Sequence, residues 1–299
     1  MQAILRLDRL EENVFKSVCC MTNRPYTDMI YGGQFIGQAL TAANHTLPNE
    51  RFQPNSMHCY FLKGGAVGPA LTYHVERMSD GSTFLSREVR ARQDGEVVFY
   101  AIISYQNISK RPSIAHSVPI PNVPKPDQLE DAIEVCQNEL KKPGISETLR
   151  RHCERRRKAL VNQTFRMKPV DVGLYLRKTP GPSMDAWVLL DGNKNWITER
   201  LGYGVVGYIS DFWAVNSCTS RYHPHFKSNL ALSLDHSIWF HRPYEPNEWH
   251  LLRYESPFAE NSRALSNGRL WNEKGQLVAT ILQECLITQG HTGQSGDSF

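Results

Sequence analysis

The order of motifs in the first half of the chain recurs in the second half. In each half a segment with helical spacing of apolar residues precedes, by about 20 residues, an aromatic run with strand character. Two further extended runs follow, joined by a turn that contains glycine. Each half therefore predicts one central helix followed by a meander of antiparallel strands, an α+β arrangement with one apolar sheet face. Such a repeat favours two tandem copies of one unit.

The helical segments are marked by similar motifs. The first half has YGGQF at 31–35, followed by apolar residues at helical spacing. The second half has YISDF at 208–212, which is predicted to open a helix that runs toward Pro224. This alignment places Asp211 where the first half has Gln34, at the start of a helix.

The extended runs alternate apolar and polar residues and are bounded by turn residues, as strands are. Asp94-Gly95 and Lys274-Gly275 are hairpin signals, the first the stronger of the two. The predicted strands are 57–63, 85–91 and 97–103 in the first half and 236–242, 264–271 and 277–282 in the second.

The region between the halves differs in composition. Prolines crowd its first part and favour extended chain, whereas 127–141 and 146–162 have helical character. The basic run at 155–158 is typical of a solvated helix face, and a patch that attracts phosphates is the alternative. The predicted organisation is a first unit over 1–110, a linker over 111–165, a second unit over 166–289 and a flexible tail over 290–299.

Composition excludes several classes of protein. Of the 299 residues 40% are hydrophobic, which is enough for real cores, yet no run approaches the ~20 apolar residues of a membrane span. The N-terminus lacks the apolar stretch of a secretory signal. Seven cysteines without a C-x-x-C pair argue against a disulfide framework and a zinc ribbon. A net charge of +4 is too small for a dedicated nucleic-acid binder and suits an anionic small molecule equally well.

Three polar residues of the second half stand where the first half has other residues. Gln283 interrupts the apolar face of its strand, and a buried amide requires hydrogen-bonding partners. Each residue alone has an ordinary explanation: a helix N-cap, a loop hydroxyl or a structural amide. Together a carboxylate can take a proton from water while a hydroxyl and an amide orient that water. The pairs, second half first, are Asp211 and Gln34, Ser233 and Pro54, and Gln283 and Ile103.

At these residues the sequence resembles the type II acyl-CoA thioesterases, which comprise the bacterial thioesterase II (TesB) enzymes and their peroxisomal relatives in eukaryotes. The resemblance implies a double hotdog fold, two tandem units that each wrap an antiparallel sheet around a long helix. It implies hydrolysis of fatty acyl-CoA to free fatty acid and CoA without a metal or a cofactor, CoA being part of the substrate. It assigns the catalytic roles to Asp211, Ser233 and Gln283. The matching stretches are YGGQFIGQAL (31–40), MHCYFLKGG (57–65), GSTFLSREVRARQDGEVVFYAIISYQ (81–106), GYISD (207–211), LDHSIWFHRP (234–243), NEWHLLRYESPFAENSRAL (247–265) and GQLVATILQE (275–284).

Substrate contacts and surroundings are expected as follows. The acyl chain needs an apolar tunnel, for which Phe212 and Trp239 are candidates, and the CoA phosphates need cations. His58 and Gln34 are possible auxiliary residues. The cation candidates are Lys63, Arg242, Arg263 and the run at 155–158.

Partners and location are expected from the resemblance and the composition. We expect a homo-oligomer, with no nucleic-acid partner and no membrane span. The resemblance suggests the peroxisome. The cytosol is the alternative, because Asp297-Ser298-Phe299 is not a recognisable peroxisomal tripeptide.

Three other functions remain open at this point. One is a non-catalytic acyl-CoA-binding protein. Another is a hotdog-fold enoyl-CoA hydratase, which uses an aspartate followed five residues later by histidine, where this chain has Asn216. The third is a metal hydrolase, for which the spacing of the candidate ligands fits no standard zinc pattern. Those ligands are His223, His225, His236 and His241.

Overall fold

The strands of the described residues pair into one continuous antiparallel sheet. The computed structural model describes residues 1–22, 27–108, 114–161, 164–226 and 228–289. The predicted tail over 290–299, with its terminal tripeptide, and the predicted boundary at 110/111 lie outside these residues.

The described residues contain thirteen strands and seven α-helices. The strands are β1 (Leu7–Glu11), β2 (Val14–Ser17), β3 (Phe52–Phe61), β4 (Thr72–Asp80), β5 (Phe84–Gln93), β6 (Glu96–Asn107), β7 (Phe165–Pro169), β8 (Ser183–Leu190), β9 (Ser228–Ser233), β10 (Asp235–Phe240), β11 (His250–Glu260), β12 (Arg263–Asn272) and β13 (Leu277–Gln289). The helices are α1 (Gln2–Leu5), α2 (Gly32–Asn44), α3 (Ala132–Leu140), α4 (Glu147–Val161), α5 (Val172–Tyr175), α6 (Glu199–Ile209) and α7 (Ala214–Ser217). Short 3-10 helices span Pro126–Gln128 and Ser220–Tyr222.

The two halves share the sheet through its central pair of strands. The strand order is β1-β2-β4-β5-β6-β3-β10-β13-β12-β11-β8-β7, with β9 also paired to β13. At the junction β3 and β10 run antiparallel, with His58 opposite Ser237. Each half wraps its part of the sheet around one helix, α2 in the first half and α6 in the second. This architecture confirms the predicted double hotdog.

Helices α2 and α6 pack against each other in antiparallel orientation, and glycines allow their close approach. A Cβ on Gly37 would lie 2.8 Å from the carbonyl oxygen of Gly204, and one on Gly207 would lie 2.7 Å from Leu40. At one end of the pair Asn44 donates a hydrogen bond to the carbonyl of Arg200 (3.2 Å). The N-terminus of α2 therefore lies beside the C-terminus of α6.

The prediction of a helix from Tyr208 toward Pro224 is wrong. The central helix of the second half is α6, which ends at Ile209, and only the single turn α7 and a 3-10 turn follow before Pro224. Asp211 consequently lies just after a helix rather than at the start of one. Three glycines in α6 weaken its helical signal in the sequence, and packing against α2 outweighs this low propensity.

The predicted strands are confirmed, and so is the buried face of β13. Ala279, Ile281, Gln283 and Cys285 are buried. The proline-rich segment from 114 to 125 has no regular secondary structure, as predicted. It lies over two tryptophans: Trp187 donates to the carbonyl of Pro124 (2.9 Å) and Trp271 to that of Val118 (3.3 Å).

The helical segments predicted for the linker correspond to α3 and α4. Helix α4 buries Cys153 and Leu160 and exposes most of its basic run. In the part of the chain that the structure describes, every helix is too short or too polar to cross a bilayer.

Candidate active site

Asp211 follows the C-terminus of α6 and faces the N-terminus of α2. Its Oδ2 accepts a hydrogen bond from the backbone N–H of Gly33 (3.0 Å). The first N–H groups of a helix lack partners within the helix, and the helix dipole is positive there, so this position favours a carboxylate. The helix N-terminus at the site thus comes from the first half, whereas the sequence alignment placed one in the second half.

The backbone of the first half leaves room for this carboxylate only because residue 32 is glycine. A Cβ on Gly32 would lie 2.7 Å from Oδ2 of Asp211 and 3.1 Å from the ring of Phe61. The YGG motif thus contributes both a hydrogen-bond donor and space. The site is built from both halves of the chain.

Gln283 and Ser233 are brought together by two neighbouring strands. Gln283 lies on the buried face of β13 and is fully buried, whereas Ser233 ends β9 and is half-buried. The side-chain amide of Gln283 donates to Oγ of Ser233 (2.8 Å). The predicted need of this buried amide for partners is therefore met by one of the residues proposed with it.

A buried histidine that sequence reasoning did not place in the site completes the surroundings of Gln283. His236 on β10 contacts the amide oxygen of Gln283 through Nδ1 (2.5 Å) and the hydroxyl of Ser210 through Nε2 (2.9 Å). Ser210 precedes Asp211 directly. A continuous polar network therefore links Ser233, Gln283, His236 and Ser210 on the buried side of the sheet.

Hydrogen-bond chemistry fixes the direction of this network. Because the amide N–H of Gln283 donates to Ser233, its oxygen faces His236, and Nδ1 of His236 must carry the proton. Burial lowers the pKa of His236 to about 4, although the bond to Gln283 works against this, so the ring is neutral at pH 7. Nε2 is then an acceptor for the hydroxyl of Ser210, for whose single hydrogen the backbone carbonyl of Gly207 (2.8 Å) is the competing acceptor. At the other end the hydroxyl hydrogen of Ser233 is available to donate.

Asp211 acts electrostatically on the same region. Burial and then the charge of Asp211 raise the pKa of Tyr254 well above its usual range. The hydroxyl of Tyr254 donates to the backbone carbonyl of Ser210. Asp211 and the network around Gln283 thus share Ser210 and Tyr254 as neighbours.

The sequence did contain a signal for His236. It alternates with Ile238 and Phe240 on the buried face of β10 and is a polar residue at an apolar position, the same signal that singled out Gln283. Strands β3 and β10 are equivalent in the two halves, and so are β6 and β13. In this register Met57 is the first-half counterpart of His236, and Ile103 is the first-half counterpart of Gln283. The polar pair of the second half thus replaces an apolar pair.

The two possible auxiliary residues lie away from this network. His58 is exposed, on the opposite face of the sheet, where Nδ1 contacts the hydroxyl of Ser237 (2.9 Å). Gln34 is buried at the start of α2, donates to the carbonyl of Cys19 (2.6 Å) and accepts from the N–H of Met21 (2.9 Å). These contacts hold the N-terminal segment against α2.

The substrate-binding candidates are scattered. Arg263 pairs with Glu284 (2.8 Å), Lys63 pairs with Glu96, and Arg242 is exposed. Trp239 lies on the exposed sheet face with His58, at 5.2 Å between rings. The structure therefore does not gather these four residues at one place.

Phe212 alone among the substrate-binding candidates lies beside the candidate site. It is buried and stacks on Tyr31, with 5.6 Å between ring centroids.

Within the described ranges no three His, Cys, Asp or Glu side chains are grouped as metal ligands would be. Of the four histidines considered for a metal, His236 uses both ring nitrogens in the network and His241 bonds Thr280 (2.9 Å). All seven cysteines are free thiols.

Two tandem helix-and-sheet units define the chain as a double hotdog protein, and its candidate site combines Asp211, held at the helix N-terminus of the first unit, with a buried polar network in the second unit. Residues 22–106 match the family described as the acyl-CoA thioesterase N-terminal domain, and residues 161–287 match the acyl-CoA thioesterase C-terminal domain. The chain belongs to the acyl-CoA thioesterase family, whose members are thioester hydrolases.

Individual relatives match over nearly the whole chain. Rat acyl-coenzyme A thioesterase 8 is 32% identical over 291 residues, covering 95% of this chain and 88% of the relative. Acyl-CoA thioesterase 2 of Haemophilus influenzae is 29% identical over 289 residues, with 95% of each chain covered. The crystal structure of the acyl-CoA thioesterase II TesB2 from Mycobacterium marinum superposes with a TM-score of 0.73 at 28% identity, covering 98% of this chain and 99% of that one.

Proposed function

We propose that this chain hydrolyses fatty acyl-CoA thioesters, with Asp211 as the general base for an attacking water and with Ser233 and Gln283 orienting that water. The directional hydrogen-bond network from Ser210 to Ser233 is the observation that carries the proposal. It supplies the hydroxyl hydrogen of half-buried Ser233 as a donor and leads through Gln283 and His236 to Ser210, the residue directly before the base. Family membership and the acyl-CoA thioesterase names of the relatives support the choice of substrate.

In the proposed reaction water attacks the thioester carbonyl and gives its proton to Asp211. A tetrahedral intermediate forms, and the bond between carbon and sulfur then breaks. The proton on Asp211 passes to the departing sulfur, so that the products are the fatty acid and the CoA thiol. Because a thiolate is a good leaving group, a single carboxylate can serve both steps.

The oxyanion of the intermediate needs donors, and the N-terminus of α2 is the nearest source. The backbone N–H of Gly32 and the helix dipole would stabilise the developing charge, while the N–H of Gly33 binds Asp211. The carboxylate of Asp211 and the thioester carbonyl of the substrate would thus lie side by side at the N-terminus of α2.

The experiment is a single turnover in ¹⁸O-labelled water, with release of CoA followed by a thiol reagent across acyl chain lengths. Attack by water predicts ¹⁸O in the fatty acid of the first turnover. If Asp211 were instead a nucleophile, the first product would carry unlabelled oxygen from the protein. Absence of thiol release from any acyl-CoA would leave a non-catalytic binding protein and contradict the proposal.

We propose a homo-oligomeric state and an intracellular location for this enzyme. One relative, 24% identical over 306 residues, is named peroxisomal acyl-coenzyme A thioester hydrolase 1 of Saccharomyces cerevisiae, which makes the peroxisome one candidate compartment. The terminal residues that bear on this question lie outside the described part of the chain. Sedimentation analysis tests the first proposal, and imaging of a fluorescent fusion with a native C-terminus tests the second.

A further inference from the structure

Two arginines that lie beside α5 have no acidic partner among the described residues. Arg156 on α4 places its guanidinium over the ring of Tyr175, 5.3 Å from the centroid. Arg177 follows α5 and is exposed at its surface. Desolvation of the guanidinium and the charge of Arg156 nevertheless lower the pKa of Arg177 to about 10. Two neighbouring cations without a counter-ion repel each other, and an anion between them would remove that cost.

Two histidines adjoin these arginines. His152 lies one helical turn before Arg156, and its Nε2 is 3.3 Å from the carbonyl oxygen of Tyr175. The side chain of His223 is only 5% exposed. Among the described residues neither of its ring nitrogens has a hydrogen-bond partner. A polar group that is buried without a partner destabilises the fold. His223 is therefore a second, independent sign that a polar ligand belongs here.

Backbone contacts hold the segment of His223 against the loop after Arg177. The hydroxyl of Ser220 donates to the carbonyl of Gly181 (3.0 Å), and the N–H of Gly181 donates to the carbonyl of Ser220 (3.2 Å). Burial, followed by the charges of Arg177 and Arg156, lowers the pKa of His223 to about 4. The ring is thus neutral at pH 7 and can donate one hydrogen bond and accept another.

We propose that Arg156, Arg177 and His223 form a binding site for a phosphate group. Guanidinium groups bind phosphate oxygens in a bidentate manner, and a neutral imidazole adds a donor. We assign the phosphate group to CoA, whose phosphates lie at the end opposite the thioester, and in this respect the site rests on the proposed function. The ring of Tyr175 beneath Arg156 packs on Trp213 (5.8 Å between centroids), two residues after Asp211, so the cluster adjoins the candidate active site without entering it.

The test compares an acyl-CoA with the matching S-acyl-pantetheine, which has the same thioester but lacks the nucleotide phosphates. Arg177→Gln and Arg156→Ala are measured with the full chain, and Arg151→Ala serves as the control because Arg151 is an exposed arginine of the same helix whose charge is paired with Glu147 (3.6 Å). We expect KM for the acyl-CoA to rise about 10-fold or more in the first two variants. Their kcat, their KM for acyl-pantetheine and all values for Arg151→Ala should stay near those of the wild type. Equal losses on both substrates, or an unchanged KM for the acyl-CoA, would overturn the proposal.

Calorimetry with CoA, adenosine 3′,5′-bisphosphate and inorganic phosphate separates the site from the reaction. The proposal predicts that CoA and the bisphosphate bind the wild type and bind both arginine variants more weakly. If inorganic phosphate binds as tightly as CoA, the assignment to CoA is wrong. If no acyl-CoA is hydrolysed, the proposed function fails, while binding of the bisphosphate still tests the site.

Discussion

The carboxylate of Asp211 accepts a hydrogen bond from the backbone N–H of Gly33, with 3.0 Å between oxygen and nitrogen, although the two residues belong to different halves of the chain. The antiparallel packing of α2 and α6 creates this contact. The same packing creates a pseudo-symmetric position two residues after α2, which is occupied by Thr46. There the fully buried Arg87 donates to the hydroxyl of Thr46 (2.8 Å) and fills the space. The part of the chain that the structure describes therefore has one candidate site of this kind rather than two.

We predict that Gly32→Ala lowers kcat about 100-fold, because its Cβ would displace the carboxylate of Asp211 and small displacements of reacting groups have effects of that size. The measurement is steady-state hydrolysis of one acyl-CoA, together with circular dichroism to verify folding. Gly64→Ala is the control, because there the new methyl group meets only the flexible end of Met29. Wild-type kcat in a folded Gly32→Ala variant would contradict the geometry of the site.

The second prediction concerns His236, which we consider a positioning residue for Gln283. His236→Met introduces the first-half counterpart and leaves the amide oxygen of Gln283 without its donor. We expect kcat to fall about 10-fold or more with little change in KM, because only the orientation of the amide is lost.

His236→Asn distinguishes positioning from general stability. Its side-chain N–H can replace Nδ1 as the donor to Gln283, so part of the lost kcat should return. Equal kcat values for the two variants at equal thermal stability would argue against a positioning role.

Buried histidines predict that acid destabilises the fold earlier than carboxylates alone would. Burial lowers the pKa of His236 and of His250 from 6.5 to about 4, partly offset by their hydrogen bonds. Between these values the unfolded chain binds more protons than the native chain, so stability is lost as the pH falls from about 6.5 toward 4. Each histidine should remove about 2 kcal/mol of unfolding free energy by pH 5.

Urea denaturation at pH values from 7.5 to 5 measures this loss. His236→Asn removes one of the titrating groups and should flatten the pH dependence by that histidine's share. An unfolding free energy that does not change between pH 7.5 and 5 would show that these rings titrate normally in the fold.

Much of the fold could be predicted from the sequence because the strands alternate clearly and the motifs recur in order. The helix α6 could not, since Gly202, Gly204 and Gly207 are poor helix formers whose role is visible only against α2. That error paired Asp211 with Gln34, although its structural counterpart is Thr46. A match between short motifs does not establish equivalence when tertiary contacts decide where a helix lies.

The candidate site, too, could be predicted from the sequence only in part. A buried polar residue on an apolar strand face identified Gln283 correctly as one that needs partners, and the same rule applied to β10 would have found His236. The contribution of the first half could not be found by seeking residues unique to the second half. Gly32 and Gly33 act through backbone and empty space, for which side-chain patterns give no signal.

The most direct test of the account is kcat of Asp211→Asn on an acyl-CoA, with thermal unfolding recorded for the same sample. The amide can still fit beside Gly33 but cannot take a proton from water, so we predict a loss of about 1,000-fold or more in a folded protein. Asp235→Asn is the control, because this nearby carboxylate only accepts a backbone hydrogen bond from Glu284 (3.1 Å). If Asp211→Asn stays folded and keeps kcat within about 10-fold of the wild type, Asp211 is not the base and the proposed mechanism is wrong.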